Sequence, residues 1–199
     1  IDEDDKVYGV ATGDMGVSKD GIAKDSWESG MELHAKYTLF SEGARGSLSK
    51  FLIDNFELSK ESDHQKYAIG IKELWEVKEE NHQEGLVEHS MGWPLSEGTG
   101  GGSFLYHFGQ NLVSIGYVVH LNYTNPYVSP FDEFQQFKTH PSIKKILEGG
   151  KRISYGARAI TAGGFQSVPK LFFPGGALIG CSAGFLNYPK IKGTHNAME

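Results

Sequence analysis

The stretch GTGGGSFLYHF, at 98–108, brings a run of glycines up against an apolar, aromatic segment. Glycine has no side chain to pack and loses much conformational entropy in a strand. The run therefore predicts a bend, or a place where another group approaches the backbone closely. Its spacing fits neither the dinucleotide motif GxGxxG nor a phosphate loop, because residue 103 is serine and no lysine follows. On local sequence alone, a β-bulge or a strand entry is favoured over a ligand site.

A second glycine cluster combines a loop with the start of a helix. GCSAGF at 180–185 follows a short apolar strand, and PKIKGTH at 189–195 begins a predicted helix. Together they would place unpaired backbone N–H groups and the positive end of a helix dipole beside a ligand. A reduced flavin is negative near N1 and the C2 carbonyl, so it would be stabilised there. A plain connection between two elements is the alternative that local sequence leaves open.

Several other chemistries are excluded by the residues present. The sequence has one cysteine, Cys181, which rules out an internal disulfide and any metal site built mainly from thiolates. Eight histidines are scattered without an HExxH pair, no GxSxG motif occurs, and no metal centre is predicted. The formal net charge of −6, with no basic block, argues against a nucleic-acid partner.

The longest apolar run, LVSIGYVVHL at 112–121, is too short to cross a bilayer. It has ten residues, whereas a spanning helix needs about 20. Its Val, Ile and Tyr content predicts a buried strand instead. The chain opens IDEDDK without an initiator methionine and ends NAME without a helix stop signal, so we expect an internal piece of a longer protein.

The N-terminal third is predicted to contain a hairpin and a strand–turn–helix unit. Residues 6–21 indicate two short strands about a Gly13–Asp14 turn. Lys36 to Phe40 are expected to form a buried strand, after which glycines make a tight turn. Apolar residues at helical spacing then predict a helix; they are Leu48, Phe51, Leu52 and Phe56. A strand, glycine turn and helix in this order is a weak signal for anion binding.

The rest of the chain predicts a sheet followed by two helices and more strands. Alternation over 67–121 favours an antiparallel sheet. Residues 129–150 predict two short helices, with Ser129 as the first N-cap, and their phenylalanine stripe is expected to be core packing. Strands are predicted at 151–160 and 177–179. The fold class is therefore α+β, or mixed α/β, assembled from interleaved segments.

Several segments closely resemble the electron transfer flavoprotein–ubiquinone oxidoreductase family. In chain order they are GMELHAK, GIKELWEV, GWPL, GGSFLYH, NPYVSPFDEFQQFKTHPSI and LEGGKRISYGARAITAGGFQSVPKLFFPGGALIGCSAGFLNYPKIKGTHNAM. The likeness runs over essentially the whole chain in unbroken order. It implies part of an FAD-binding domain at 1–60 and 151–199, interleaved with an antiparallel-sheet ubiquinone-binding domain at 61–150.

The resemblance also implies an electron-transfer enzyme with partners outside this sequence. In the family, electrons arrive from reduced electron transfer flavoprotein, pass through FAD and a 4Fe–4S cluster, and leave to membrane ubiquinone. The dinucleotide motif lies before this piece and the cluster cysteines lie after it, so the piece alone is expected to be inactive. Peripheral contact is expected with the matrix face of the mitochondrial inner membrane, or with the cytoplasmic face of a bacterial one.

The same resemblance assigns site residues. The glycine pair that binds quinone through the main chain corresponds to Gly101 and Gly102, where a ring oxygen would meet a backbone N–H. The resemblance names no residue for proton delivery, and His107 is expected to have a packing role. The positions expected near FAD are Gly180, Cys181, Ser182, Gly184, Gly193, Thr194, Glu42, Gly43 and Arg45.

Two departures from the family pattern affect these expectations. Relatives carry an aromatic residue where this chain has Gly100, so a phenol contact is lost and the loop is expected to be looser. Ala183 replaces a proline, which predicts a less rigid turn beside FAD. The alternatives are a related flavoprotein without the cluster, such as a nitrogen-fixation quinone-linked flavoprotein or a prenyl reductase, and a non-catalytic module that binds an apolar ligand.

Overall fold

The computed structural model describes residues 1–187 and 193–198. Its strands are β1 (Gly9–Ala11), β2 (Met15–Val17), β3 (Ala23–Glu28), β4 (Glu32–His34), β5 (Thr38–Phe40), β6 (Tyr67–Glu76), β7 (Val87–Met91), β8 (Gly101–Phe108), β9 (Leu112–His120), β10 (Lys151–Thr161), β11 (Phe172–Phe173) and β12 (Gly176–Leu178). Its α-helices are α1 (Ser47–Asn55), α2 (Pro130–Phe137), α3 (Pro141–Leu147) and α4 (Thr194–Met198). This mixture of helices and mainly antiparallel strands confirms the predicted α+β class.

The central feature is a five-stranded antiparallel sheet in the order β10–β6–β9–β8–β7. Strand β9 lies in the middle, and its alternate residues Val113, Ile115, Tyr117 and Val119 are buried in one core with α2 and α3. The residues between them point to the opposite face of the sheet. The antiparallel sheet predicted from alternation is confirmed, and its two faces have different environments.

Helices α2 and α3 cover the first face of the sheet. The Ser129 side chain accepts a hydrogen bond from the Asp132 N–H (3.3 Å), as expected for the N-cap of α2. Phe134 and Phe137 are buried in the core, which confirms the packing role predicted for the stripe, but Phe131 is exposed. Gly149, with φ of +73°, follows the end of α3 in the left-handed region.

A buried carboxylate connects α2 to the sheet. Glu73 of β6 is 3% exposed, and its oxygens accept hydrogen bonds from Lys138 (2.8 and 3.0 Å), Arg152 (3.0 Å) and the Trp75 indole (2.8 Å). Burial acts to raise the pKa of Glu73, but hydrogen bonds from Lys138, Trp75 and Arg152 outweigh it and hold the pKa below its usual value. The charge on Glu73 is therefore compensated where α2 meets the sheet.

A second, three-stranded sheet has the order β11–β12–β5, and β12 pairs with β5 in parallel. The carboxyl ends of parallel neighbours meet at one edge, where loops that bind ligands commonly lie. The loop after β5 leads into α1, and the loop after β12 begins at Gly180. The short strand predicted at 177–179 is confirmed one residue earlier, at 176–178. Its parallel pairing with β5 brings the glycine loop after β5 (Gly43 and Gly46) next to the glycine loop after β12 (Gly180 and Gly184).

Two predictions for the N-terminal segment need correction. The strands near residues 9–17 exist, but they do not pair with each other: β1 pairs with β4, and β2 pairs with β3. The tight hairpin therefore turns between β2 and β3, and the predicted Gly13–Asp14 turn is wrong. The strand predicted at 36–40 begins at Thr38, and only Phe40 within it is buried, since Leu39 is exposed.

Replacing Glu73 by glutamine tests the role of the buried carboxylate. We expect Glu73→Gln to lower the free energy of unfolding by roughly 3 kcal/mol, because Lys138 is left without a counter-charge while 13% exposed. Urea denaturation followed by tryptophan fluorescence measures the loss. The control is Glu76→Gln, on the same strand but exposed, which should change stability by less than about 0.5 kcal/mol. Equal effects of the two substitutions would contradict the assignment.

Candidate functional site

The predicted quinone residues line a partly open, mainly apolar cavity. Gly101 and Gly102, at the start of β8, border a space of about 150 Å³. Its wall is completed by residues of β7, β9, β10 and the loop after β12, namely His89, Ser90, Met91, Val118, His120, Ile160, Ala162 and Leu186. Most of these side chains are apolar, and the titratable ones among them are two histidines. A cavity therefore adjoins the glycine pair, as a bound ring would require.

Glycine is required at both positions by the protein itself. A Cβ atom at Gly101 would collide with the Val118 carbonyl oxygen and the Leu95 side chain. A Cβ atom at Gly102 would collide with the Ser90 carbonyl oxygen on the neighbouring strand. The bare backbone thus allows β7, β8 and β9 to approach closely around the cavity. The sequence predicts that a bound ring is the reason for these glycines, but the close approach of the neighbouring strands is sufficient to require them.

A neighbouring imidazole, that of His120, explains why position 100 has no side chain. The His120 backbone N–H donates a hydrogen bond to the Gly100 carbonyl oxygen (2.9 Å), which places the His120 side chain beside Gly100. A Cβ atom at Gly100 would come within 2.9 Å of Nδ1 of His120. The histidine ring therefore occupies the space into which a side chain at position 100 would extend.

A second and larger cavity lies between the central sheet and the loop after β12. It measures about 650 Å³, which is in the range typical of cofactor pockets. Four of the positions predicted to lie near FAD line it: Gly180, Cys181, Gly193 and Thr194. Gly70 and Gly156 form bare backbone on its sheet side, and a Cβ atom at Gly156 would meet nothing within 4 Å. The space suits a flat ring system lying against the strands.

A third cavity, of about 340 Å³, receives three more of the predicted residues. Gly43, Arg45 and Ser182 line it together with mainly polar side chains. The Ser182 hydroxyl donates a hydrogen bond to the Gly43 carbonyl (3.2 Å), which joins the loop after β12 to the loop after β5. Cys181 faces the larger cavity and Ser182 faces this one. The two cavities therefore flank the same turn.

Glu42 has a local structural role that the sequence did not indicate. Its carboxylate accepts hydrogen bonds from the Ser49 N–H (2.6 Å), the Ser49 hydroxyl (2.7 Å) and the Leu48 N–H (3.3 Å). Burial acts to raise its pKa, but these bonds outweigh it and hold the pKa below the ordinary 4.5. The N-terminus of α1 is thus occupied by the chain's own carboxylate and not by an external anion.

The turn at Gly180–Ser182 is fixed by its backbone. Gly180 adopts φ of +60°, a conformation that favours glycine. The Ala183 N–H donates a hydrogen bond to the Gly180 carbonyl (3.1 Å), which proline could not do. The substitution of alanine for proline therefore adds a hydrogen bond that offsets the expected loss of rigidity. Gly184, also predicted to lie near FAD, lines neither the 650 Å³ cavity nor the 340 Å³ cavity. A Cβ atom at Gly184 would lie 2.8 Å from the Gln65 amide nitrogen.

The helix predicted near residue 193 is present but short in the described chain. The Gly193 carbonyl accepts a hydrogen bond from the Ala197 N–H (3.0 Å), so α4 starts at the predicted place. Residues 189–192 of the predicted PKIK segment lie outside the described residues. Because α4 spans only Thr194–Met198, the predicted helix dipole carries little of the argument. Gly193 instead matters for packing, since a Cβ atom there would approach the Phe185 carbonyl.

The apolar cavity and the 650 Å³ cavity are neighbours. Val118, Ile160 and Leu186 line both of them, so these three side chains form a common wall. A ligand in one cavity would be separated from a ligand in the other by little more than apolar side chains. Sequence reasoning missed this wall and also missed Gly70 and Gly156. The one available signal was an isolated glycine inside each of two predicted strands, which can indicate close approach of a ligand.

Comparison with known proteins decides the family. A family model described as "ETF-QO, ubiquinone-binding" matches residues 67–160, which contain most of the central sheet with α2 and α3. The mitochondrial electron transfer flavoprotein–ubiquinone oxidoreductase of Caenorhabditis elegans is 60% identical over 99% of this chain and 33% of its own length. This chain belongs to the electron transfer flavoprotein–ubiquinone oxidoreductase family. The human relative is 58% identical over 99% of the chain and 32% of its own length.

The family relatives are much longer than this sequence, and solved structures share its fold. The chain spans about a third of the length of the curated relatives it matches. The flavin-dependent brominase Bmp2 superposes with a TM-score of 0.58 at 16% identity, covering 100% of this chain and 45% of its own. At this identity the likeness concerns the fold alone.

Membrane-spanning helices and metal-binding clusters are both absent from the part of the chain that the structure describes. No helix in residues 1–187 and 193–198 is both long enough and apolar enough to cross a membrane. Over the same described ranges, no group of three or more His, Cys, Asp or Glu side chains could hold a metal ion.

Replacing Glu42 by glutamine tests its role at the start of α1. We expect Glu42→Gln to lower the free energy of unfolding by about 1 kcal/mol at pH 7. The carboxylate's folded pKa lies below 4.5, so its contribution is present above that value and is lost as the pH falls through the folded pKa. Urea denaturation of both proteins should show the difference shrinking in acid, whereas exposed Glu61→Gln should have little effect at any pH. A difference that stays constant to pH 3 would contradict this role.

Proposed function

We propose that this chain supplies the ubiquinone-binding region and part of the FAD-binding region of an electron transfer flavoprotein–ubiquinone oxidoreductase. The whole enzyme would take electrons from reduced electron transfer flavoprotein and deliver them to membrane ubiquinone. The observation that carries the proposal is the pair of adjacent cavities with Val118, Ile160 and Leu186 between them. One cavity adjoins the glycine pair, and the other is bordered by the predicted flavin residues.

We propose that the larger cavity receives the flavin ring. Bound FAD would supply the two-electron carrier of the reaction. Gly70 and Gly156 offer bare backbone to one side of a flat ring, while Gly180, Cys181, Gly193 and Thr194 border the other. The polar cavity at Gly43, Arg45 and Ser182 suits the hydroxylated and phosphorylated part of FAD. Glu42 would act indirectly, by fixing the loop that contains Gly43.

The smaller cavity is proposed to hold the quinone ring. Its walls are mainly apolar, and the chain's own backbone at Gly101 and Gly102 borders it. The Gly101 carbonyl already accepts a hydrogen bond from the Gly92 N–H (3.3 Å), which fixes this end of β8 against β7. The glycine amides would then be held at a constant position from which to bind a quinone oxygen as it becomes negative.

The wider assignments follow from the family. We propose that residues 1–60 and 151–199 belong to the FAD-binding domain and 61–150 to the ubiquinone-binding domain. The 4Fe–4S cluster would be held by cysteines of the enzyme outside this sequence, because Cys181 alone cannot bind it. The curated relatives are named as mitochondrial, which supports peripheral attachment to the matrix face of the inner membrane as the proposed location.

Two substitutions that each fill one cavity test the proposal in the full-length enzyme. Gly102→Val is unsuitable, since its Cβ would displace β7 through the Ser90 carbonyl. We expect Ala162→Leu to lower quinone reduction at least tenfold while the flavin absorbance per protein is unchanged, because Ala162 lines the smaller cavity. We expect Gly156→Leu to lower flavin occupancy, because its side chain would enter the larger cavity.

The control for the flavin arm is Ser154→Leu, which adds the same side chain to the same face of β10 two residues away. It should retain flavin, since Ser154 lines neither of the two cavities. Flavin loss in Ala162→Leu, or full flavin occupancy in Gly156→Leu, would show that the two ligands are wrongly placed. Normal quinone turnover in Ala162→Leu would remove the quinone assignment.

A further inference from the structure

His120 is a side chain of the smaller cavity that can both donate a hydrogen bond to a ligand and exchange a proton. His120 is the last residue of β9 and lies opposite Ala68 of β6. It lines the same 150 Å³ cavity as Gly101 and Gly102. It is partly buried, so the cavity and the solvent can both reach its imidazole.

The local sequence places this imidazole at the glycine segment. Gly100 leaves open the space beside Nδ1 of His120, and the backbone hydrogen bond between the two residues (2.9 Å) fixes their relative position. Any side chain at position 100 would displace the ring. The adjacent strand therefore supplies an aromatic ring at the glycine segment, and this ring can carry a proton.

The surroundings of His120 favour a neutral ring at pH 7. Burial lowers its pKa below the ordinary 6.5, and the positive charge of Lys66 lowers it further. The other titratable side chain on the cavity wall is His89, which is hydrogen-bonded to the Tyr106 hydroxyl (3.1 Å). The remaining wall is mostly aliphatic, so these two histidines are the cavity's titratable side chains.

We propose that His120 binds one carbonyl oxygen of the quinone and supplies one of the two protons that its reduction requires. The inference rests on the proposed quinone site. The ring accepts two electrons, which come from a reduced flavin, and two protons to become the quinol. The acid is the imidazolium form: its N–H bond breaks as the O–H bond forms at one oxygen, which leaves the neutral imidazole, and solvent returns the proton before the next turnover. The second oxygen takes its proton from water.

The position of His120 suits this role because charge develops on the quinone oxygens while they are surrounded by apolar side chains. A nearby donor stabilises that charge and delivers a proton to the oxygen that it contacts. General acid catalysis of this kind typically contributes 10²–10⁴-fold to a rate. His89 lies on the opposite edge of the cavity, on β7, and is hydrogen-bonded to Tyr106. As the other histidine of the cavity, it is the residue with which His120 is compared in the test.

The test compares His120→Gln, which keeps a hydrogen-bond donor but does not titrate, with His34→Gln as an exposed control in the full-length, flavin-loaded enzyme. A short-chain ubiquinone is the substrate. We expect His120→Gln to lower kcat at least 30-fold with KM changed less than threefold, and to remove an acid-range titration from the pH profile of kcat. Flavin absorbance and the rate at which the enzyme reduces an outer-sphere acceptor such as ferricyanide should equal those of the wild type.

The outcomes separate this inference from the function on which it rests. A wild-type pH profile and kcat in His120→Gln, together with loss of quinone turnover in Ala162→Leu, would overturn the role of His120 and leave the quinone site in place. If His89→Gln, and not His120→Gln, lowers kcat and removes the acid-range titration from the pH profile, the proton comes from His89 and the proposal is overturned. If neither His120→Gln nor Ala162→Leu affects quinone reduction, the site itself is wrong. Equal loss with ferricyanide would show damage to the flavin site and also contradict the proposal.

Discussion

Bare backbone on one face of the central sheet leaves the space on which the proposed chemistry depends. Gly102 lies opposite Val118, which lies opposite Gly70, so Val118 carries the only side chain among these three neighbours. In the adjacent row Gly156 pairs with Lys72, and Gly116 allows the Phe104 ring to lie across it. Without these glycines, side chains from neighbouring strands would occupy the two cavities.

The opposite face of the same sheet explains how such an open face is tolerated. Helices α2 and α3 bury a continuous apolar core against it, and Glu73 links α2 to the strands through Lys138. Burial on that side supplies the stability, so the cavity side is free to remain unfilled. The parallel pair β5 and β12 then brings the loop after β5 and the loop after β12 together, so that the turn at Gly180–Ser182 lies between the larger cavity and the polar cavity at Gly43. A single arrangement of strands thus places the two proposed sites side by side.

The features that the sequence predicted well depend on local signals. Alternation predicted the central strands, and the serine and proline at 129–130 predicted the start of α2, because each pattern acts within a few residues. The N-terminal pairing was wrong because β1 finds its partner at β4, more than 20 residues away, which no turn signal near Gly13 reveals. Register is likewise non-local, so the importance of Gly156 emerged only with the structure.

The site itself was only partly predictable for the same reason. Resemblance to the family identified Gly101 and Gly102, but it could not show that their Cβ atoms would collide with neighbouring strands. Glu42 was grouped with the cofactor residues, although its carboxylate is engaged with the first turn of α1. His120 was not considered, because nothing in the sequence links it to Gly100, which is 20 positions away. The pairing of β8 with β9 brings Gly100 and His120 next to each other.

The central claim is that quinone and flavin occupy adjacent cavities on one face of this sheet. The most direct measurement is an experimental structure of the full-length, FAD-loaded enzyme with a short-chain ubiquinone bound. We predict the quinone ring against the backbone of Gly101 and Gly102, with the flavin ring over Gly70 and Gly156 and Val118 between the two. Another cavity, of about 340 Å³, lies beside Trp93 and His140, and quinone density there would contradict the assignment.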